Sequence, residues 1–328
     1  MITRRLTALV VAAGVACGIG AALAATDWPT RPITLIVPFS PGGPADAPGR
    51  VLIARMSGLL GQPMIMENID GAGGMIGSVR VMRAPPDGYE VLYGNIGTHA
   101  QNQSLYKKPL YNAETDFTPV SLLWTSIRVL VVRKDLPAKN LQEFIAYARE
   151  KGLAMKFGAS GVGGSTHVAC LLMNEAMGVQ TTHVPYRGTA PALEDLIGGR
   201  IDYICDSVQT ALPFLQNGSL RALAMLSPTR SPLMPDVPTA EEQGLPGVDA
   251  GAWGAFFYPR GVAAPIVQRM SKAVDDAMNT PAVHDRIEAM GVSVTPPDQR
   301  GPDYLAKFVD GEIKKWAVPI KKSGVSIE

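Results

Sequence analysis

Two glycine-rich loops carry the residues best placed to do chemistry. "VPFSPGGPADAPGR" (Val37–Arg50) and "FGASGVGGSTHVAC" (Phe157–Cys170) each run from an apolar strand-like segment through clustered glycines into a helix start. Glycine lets backbone N–H groups approach an anion closely, and the helix N-terminus that follows adds partial positive charge. Ser40, Ser160, Ser165 and Thr166 can add hydroxyl donors, each bond to a charged group contributing about 1.5–3 kcal/mol. Four to six such donors would hold a carboxylate at about −8 kcal/mol, the micromolar range, once ordering costs are met. The plainer alternative is a pair of tight turns and caps, and the repetition of the pattern in two strand–helix blocks weighs against it. Phe39 and Tyr186 are placed to line an apolar cavity, with core packing the competing account for Phe39. Arg187, in "PYRGTAP", either pairs with a distal acid group or lies in solvent. Asp46 and Asp206 could serve as an acid/base pair; Asp46 reads more economically as a helix cap that ties down its glycine loop. Asp206 ends a strand, where it lines a site or caps the next element.

Other chemistries fail on the residues they need. "GAGGMIG" sets glycines at 71, 73, 74 and 77, so the third glycine of a dinucleotide fingerprint falls one residue late, and "GVGGST" lacks the P-loop lysine. Gly158–Val162 has valine where a hydrolase elbow needs glycine. His99, His167, His183 and His284 form no close pair, and neither Cys170 nor Cys205 has a second ligand nearby, so no metal or cofactor is expected. His99 and His167 each follow a glycine loop, where an imidazole supports the loop backbone. The competing enzyme, an exported serine hydrolase, would pair Ser160 or Ser165 with His167, yet a histidine two residues after Ser165 on the same helix points away from it. An oxidising compartment permits a Cys170–Cys205 bond; buried free thiols are the preferred reading.

These loops need a scaffold, and the chain supplies strands alternating with helices, the mark of parallel βαβ units. The expected strands are 33–39, 64–67, 90–93, 156–159, 181–184, 201–205 and 222–226. Helices are expected over 46–60, 76–82, 136–152 and 166–177, then 192–197, 267–278 and 301–315. In the helix of "LPAKNLQEFIAYAREKG", Leu141, Phe144, Ile145 and Ala148 recur at helical spacing and face inward. Two extended runs break the rhythm, Pro119–Val132 and "GAWGAFFYPRG". They predict two domains joined by two crossing strands, with the glycine loops facing each other across a cleft. The expected division is 26–130 plus 255–328 for lobe 1 and 131–254 for lobe 2.

The N-terminus has a different character. Arg4 and Arg5 precede an uncharged apolar run, Leu6–Leu23, and an A-x-A site, so 1–25 reads as a secretory signal peptide cleaved near Ala24–Ala25. Removing both arginines leaves 30 − 2 = 28 basic against 29 acidic residues. A near-neutral chain without a basic cluster has no electrostatic footprint for nucleic acid.

A series of motifs in fixed order extends over essentially the whole mature chain: "WPTRPITLIVPFSPGGPAD", "GQPMIMEN", "GAGG", "PPDGYEVLYG", "GTHAQN", "HVPYRGTAPALEDLIGGRIDY" and "LMPDVPTAEEQGLPG". Together they resemble the extracytoplasmic solute receptors of tripartite tricarboxylate transporters, the Bug receptors. The resemblance implies a two-lobed α/β fold of the periplasmic-binding-protein (Venus flytrap, type II-like) kind, a non-catalytic monomer in the periplasm. It would close on a small carboxylate, aromatic or di- or tricarboxylic, and deliver it to membrane permease subunits or feed a sensor kinase. By position it implies first-lobe contacts from Phe39, Ser40, Gly43, Pro44, Ala45 and Asp46, with Asn95 and Thr98 beside them. In the second lobe it implies Ser160, Gly163, Ser165, Thr166, Tyr186, Arg187, Thr189 and Asp206. The sequence departs from the family pattern at Pro48-Gly49, Ile69-Asp70 and Cys170.

Overall fold

The computed structural model describes residues 27–43, 45–322 and 325–328. The signal-peptide expectation and Pro44 lie outside the described residues. In chain order, β1 (Ile33–Val37), α1 (Asp46–Leu60), β2 (Met64–Asn68), α2 (Met75–Met82) and β3 (Glu90–Asn95) come first, followed by the short α3 (Asn102–Leu105) and β4 (Phe117–Ser126). Next are β5 (Arg128–Arg133), α4 (Leu141–Lys151), β6 (Lys156–Ala159), α5 (Ser165–Met177), β7 (Thr182–Pro185), α6 (Thr189–Ile197), β8 (Tyr203–Ser207), α7 (Val208–Gln216) and β9 (Leu220–Met225). The chain closes with β10 (Ala252–Pro259), α8 (Ala264–Met278), α9 (Pro281–Glu288), β11 (Val292–Val294) and α10 (Pro302–Lys322).

The strands form two sheets, ordered β11-β4-β10-β3-β1-β2 and β7-β6-β8-β5-β9. In the first, β1, β2 and β3 run parallel and β10 lies antiparallel between β3 and β4. In the second, β6, β7 and β8 run parallel, and β5 is antiparallel to β8 and β9. The chain crosses from one sheet to the other at Ile127, between β4 and β5, and returns between β9 and β10. Both extended runs therefore sit at crossings, but the first is two strands broken at Ile127, one in each sheet.

The elements follow local chemistry. Helix α1 ends at Gly61, whose φ of 76° is the left-handed turn that glycine makes without steric cost. Pro48 lies within the first turn, where its missing N–H removes nothing, and Gly49 permits close packing: a Cβ there would come 2.8 Å from Met66 Cε and 2.9 Å from Tyr93 Cε1. Helix α4 buries Leu141, Phe144, Ile145 and Ala148, the spacing read from the sequence. Three elements went unread. Pro213 inside α7 reads as a breaker, α9 is one short amphipathic stretch, and β11 is only three residues long. The end of the chain is accordingly three helices and a strand, not two helices.

Candidate functional site

The C-terminal ends of β1 and β3 face those of β6 and β7, and a pocket of about 470 Å³, its mouth included, lies between them. One wall is Val37, Phe39, Ser40, Gly43, Ala45, Asp46, Asn95 and Trp124. The other is Ser160, Ser165, Thr166, Gly188 and Thr189. The two sides touch around it: the Tyr106 hydroxyl donates to the Val162 carbonyl at 3.1 Å, and a Cβ on Gly73 would sit 3.0 Å from that same oxygen.

The first loop is held by its own backbone. Asn68 Nδ2 donates to the Phe39 carbonyl at 2.9 Å, and the Asp46 N–H closes onto the Gly43 carbonyl at 3.0 Å. Asp46 is not the helix cap: Ala45 holds that position without a side-chain bond, and the Asp46 carboxylate instead accepts from Arg50 Nε and Nη2 at 3.1 and 3.0 Å. An i,i+4 arginine outcompetes the free N–H groups for the carboxylate. Asn95 and Thr98 bind each other, Thr98 N–H donating to Asn95 Oδ1 at 3.1 Å and Asn95 N–H to Thr98 Oγ1 at 2.9 Å. Asn95 thus reaches the wall while Thr98 stays fully buried behind it. Trp124 donates its indole N–H to the buried Tyr93 hydroxyl, which fixes the ring.

In the second loop, Thr166 Oγ1 accepts the Ser160 N–H and bonds Ser160 Oγ, both at 2.8 Å. Gly161 and Gly163 have φ of 80° and 81°, conformations that require glycine. The Gly163 N–H donates to His167 Nδ1 at 3.2 Å, so His167 supports the loop as its position suggested, and Gly163 does not line the wall. The His167 ring stacks on His183 with centroids 4.0 Å apart. Burial, reinforced by His183, drives His167 down to about 3, and burial alone drives His183 to about 4. A base this weak, bonded to neither Ser160 nor Ser165, is no partner for a nucleophile.

The remaining expected contacts lie off the wall. The Tyr186 hydroxyl donates to Asp195 Oδ2 at 2.8 Å, and burial with that carboxylate pushes it up to about 12. Arg187 is exposed. Asp206 is wholly buried, accepting from Ser207 N–H at 2.8 Å and Thr210 Oγ1 at 2.6 Å, and burial pushes its carboxyl above the usual range. Cys170 and Cys205 are free buried thiols, with the Cys205 N–H donating to Cys170 Sγ at 3.0 Å. Among the described residues no group of three or more His, Cys, Asp or Glu could hold a metal ion, and no helix is long and apolar enough to cross a membrane.

Sequence reasoning missed Val37, Trp124 and, behind the wall, Arg128. The Arg128 side chain is buried, and its Nη2 donates to Ser165 Oγ at 2.8 Å. Burial pulls the guanidinium below its ordinary value, and Asp206 opposes that. The signal was visible, since one arginine stands inside the apolar run "SIRVLVV".

What the arrangement offers an anion is unpartnered donors from both sides. Ser40 Oγ and Thr189 Oγ1 are buried atoms with no hydrogen-bond partner, and both residues line the pocket. A buried hydroxyl left unbonded costs about 1–3 kcal/mol, which a bound acceptor would return.

Comparison with known proteins agrees with this geometry. Residues 49–325 match the family described as "Tripartite tricarboxylate transporter family receptor". The chain is similar to MatC (Rpa3494) from Rhodopseudomonas palustris with bound malate, at 40% identity and a TM-score of 0.87 over 89% of this chain and 100% of that one. It is similar to the periplasmic binding protein BugD, at 34% identity and a TM-score of 0.88 over 92% of this chain and 100% of that one. Protein BugT of Bordetella pertussis is 32% identical over 312 residues, 95% of each chain.

Proposed function

The chain belongs to the tripartite tricarboxylate transporter receptor family, and on that premise we propose that it binds a small aliphatic carboxylate of the malate class in the periplasm and hands it to the permease subunits of a tripartite transporter. One lobe is built on the first sheet, up to Ser126 and again from Ala252, and the other on the second sheet from Arg128, so the division falls at the crossings rather than at 130/131 and 254/255. The signal peptide at 1–25 directs export, and the receptor works as a monomer. The observation that carries the reading is the pair of unpartnered buried hydroxyls, Ser40 Oγ and Thr189 Oγ1, on facing walls of one pocket. A carboxylate accepting from both sides favours the closed form, which the membrane partner can distinguish from the open one. Asn95, Ser160, Ser165 and Thr166 complete the donor set. Thr98 holds Asn95 and the Gly163–His167 bond steadies the second loop, while Tyr186, Arg187 and Asp206 stand outside the donor set. MatC, with malate bound, suggests the ligand class. The protein captures without turnover, since His167 serves the Gly163 N–H and leaves both serines without a base.

Thermal unfolding of residues 26–328 against malate, citrate, C4–C6 dicarboxylates, acidic amino acids, nicotinate, benzoate and phthalates tests this. At a hundredfold over its dissociation constant the true ligand adds about 2.7 kcal/mol and raises the midpoint by several degrees. No shift from any acid, together with turnover of an ester, would overturn the reading in favour of a hydrolase.

A further inference from the structure

Arg128 opens β5, one residue past the crossing at Ile127, and only 2% of it is exposed. Its Nη2 donates to Ser165 Oγ at 2.8 Å, and its Nη1 reaches the Cys205 carbonyl at 3.4 Å. Among the described residues no carboxylate lies within 4.0 Å of the guanidinium. Asp206 acts on it only through space, its own oxygens already taken by Ser207 N–H and Thr210 Oγ1. A buried cation is costly unless something neutralises it, and nothing in direct contact does so here.

The geometry of Ser165 indicates where the counter-charge belongs. Ser165 lines the pocket. Because its Oγ accepts from Arg128, its O–H is free to donate to a second partner. We propose that Arg128 is a positioning residue for an anionic ligand: it turns the Ser165 O–H toward the pocket and sets its buried positive charge one hydroxyl away from the ligand carboxylate, which is the missing counter-charge. The inference rests on the carboxylate reading of this pocket. It explains how a wall bearing no cationic side chain discriminates anions from neutral polar molecules of the same size. Arg128 sits at the crossing between sheets, so closure brings the first-lobe donors toward a charge that is already in place.

The test is a binding series with malate, or with the acid of the panel that shifts the wild type, on residues 26–328. Arg128→Gln keeps an N–H donor but removes the charge, and the expected loss of affinity is about tenfold or more. Arg128→Lys, which restores the charge, recovers most of that loss. In a Ser165→Ala background the Arg128→Gln penalty shrinks to about threefold or less, because the two residues act as one unit. Asp206→Asn removes the acid opposing Arg128 and tightens binding by about threefold, a gain that a purely structural role does not produce. It also decides the matter should Arg128→Gln fail to fold. Unchanged affinity in Arg128→Gln, a penalty undiminished by Ser165→Ala, or no gain from Asp206→Asn would overturn the proposal while leaving the receptor reading intact. A wild type silent to every acid would overturn both.

Discussion

Gly188→Val lowers affinity for the bound acid by at least about a hundredfold, roughly 2.8 kcal/mol, while the unliganded protein melts as the wild type does. Gly188 has a φ of −172°, extended backbone that any residue adopts, so the substitution introduces no backbone strain of its own. What it lacks is space. A Cβ at this position would run into Ser40 Oγ, which comes from the opposite wall of the pocket. Ser40 can rotate away, which forfeits one donor to the anion and costs about 1.5–3 kcal/mol. Otherwise the lobes stop short of contact, and the ligand loses every donor on one side. Valine's two γ-carbons enforce the second outcome. Gly73 also meets the other lobe, but its φ of 62° would strain any replacement regardless of closure, so Gly188 is the cleaner probe. Calorimetric titration paired with unliganded melts reads the result. Wild-type affinity in Gly188→Val would mean that closure does not pass through this seam. A lowered unliganded midpoint would mean that Gly188 packs within its own lobe.

Much of this was legible from spacing alone, and the exceptions have physical causes. Two glycine loops following apolar strands predicted two facing cradles, because only a βα turn puts N–H groups and a helix N-terminus at one point. Both loops line the pocket. The inward face of α4 was equally plain, since Leu141, Phe144, Ile145 and Ala148 satisfy one helical stripe. Asp46 was misread as a cap because N-cap preference and an i,i+4 arginine compete for the same carboxylate, and spacing does not say which prevails. Tyr186 was read as a wall residue from its loop, but its hydroxyl is committed to Asp195, a partner nine residues along the chain. Arg128 and Trp124 were passed over as parts of an uninterrupted β run. They reach the site only because the chain changes sheets at Ile127, and one-dimensional periodicity carries no record of that.

Acid destabilises the folded chain from about pH 6.5 downward, well before carboxylate titration dominates. His99 is fully buried, its ring stacked 3.7 Å from Phe257 and its Nδ1 against Thr98 Oγ1, and burial holds it at about 3. His167, between the Gly163 N–H and His183, is also at about 3, and His183 is at about 4. Each imidazole stays neutral in the folded state yet takes up a proton near 6.5 once unfolded. Over that interval the unfolded state binds more protons, so stability falls with falling pH, by about 1.4 kcal/mol per unit for each of His99 and His167. His183 is more open to solvent and adds less. The stabilisation is complete above pH 6.5, and its loss levels off only as the folded-state values near 4 and 3 are reached. Asp206 works the other way: its raised carboxyl favours the protonated folded form and softens the slope at the acid end. Protonating His167 also removes the acceptor for the Gly163 N–H and sets a positive charge against His183, so the second glycine loop loosens with the fold. Urea unfolding at half-unit steps from pH 7 to 4.5, with NMR titration of the imidazoles, measures this. A flat stability profile across that range, or His99 and His167 titrating near 6.5 in the folded protein, would show that the cavities around these rings admit water and that the second cradle does not depend on a neutral histidine.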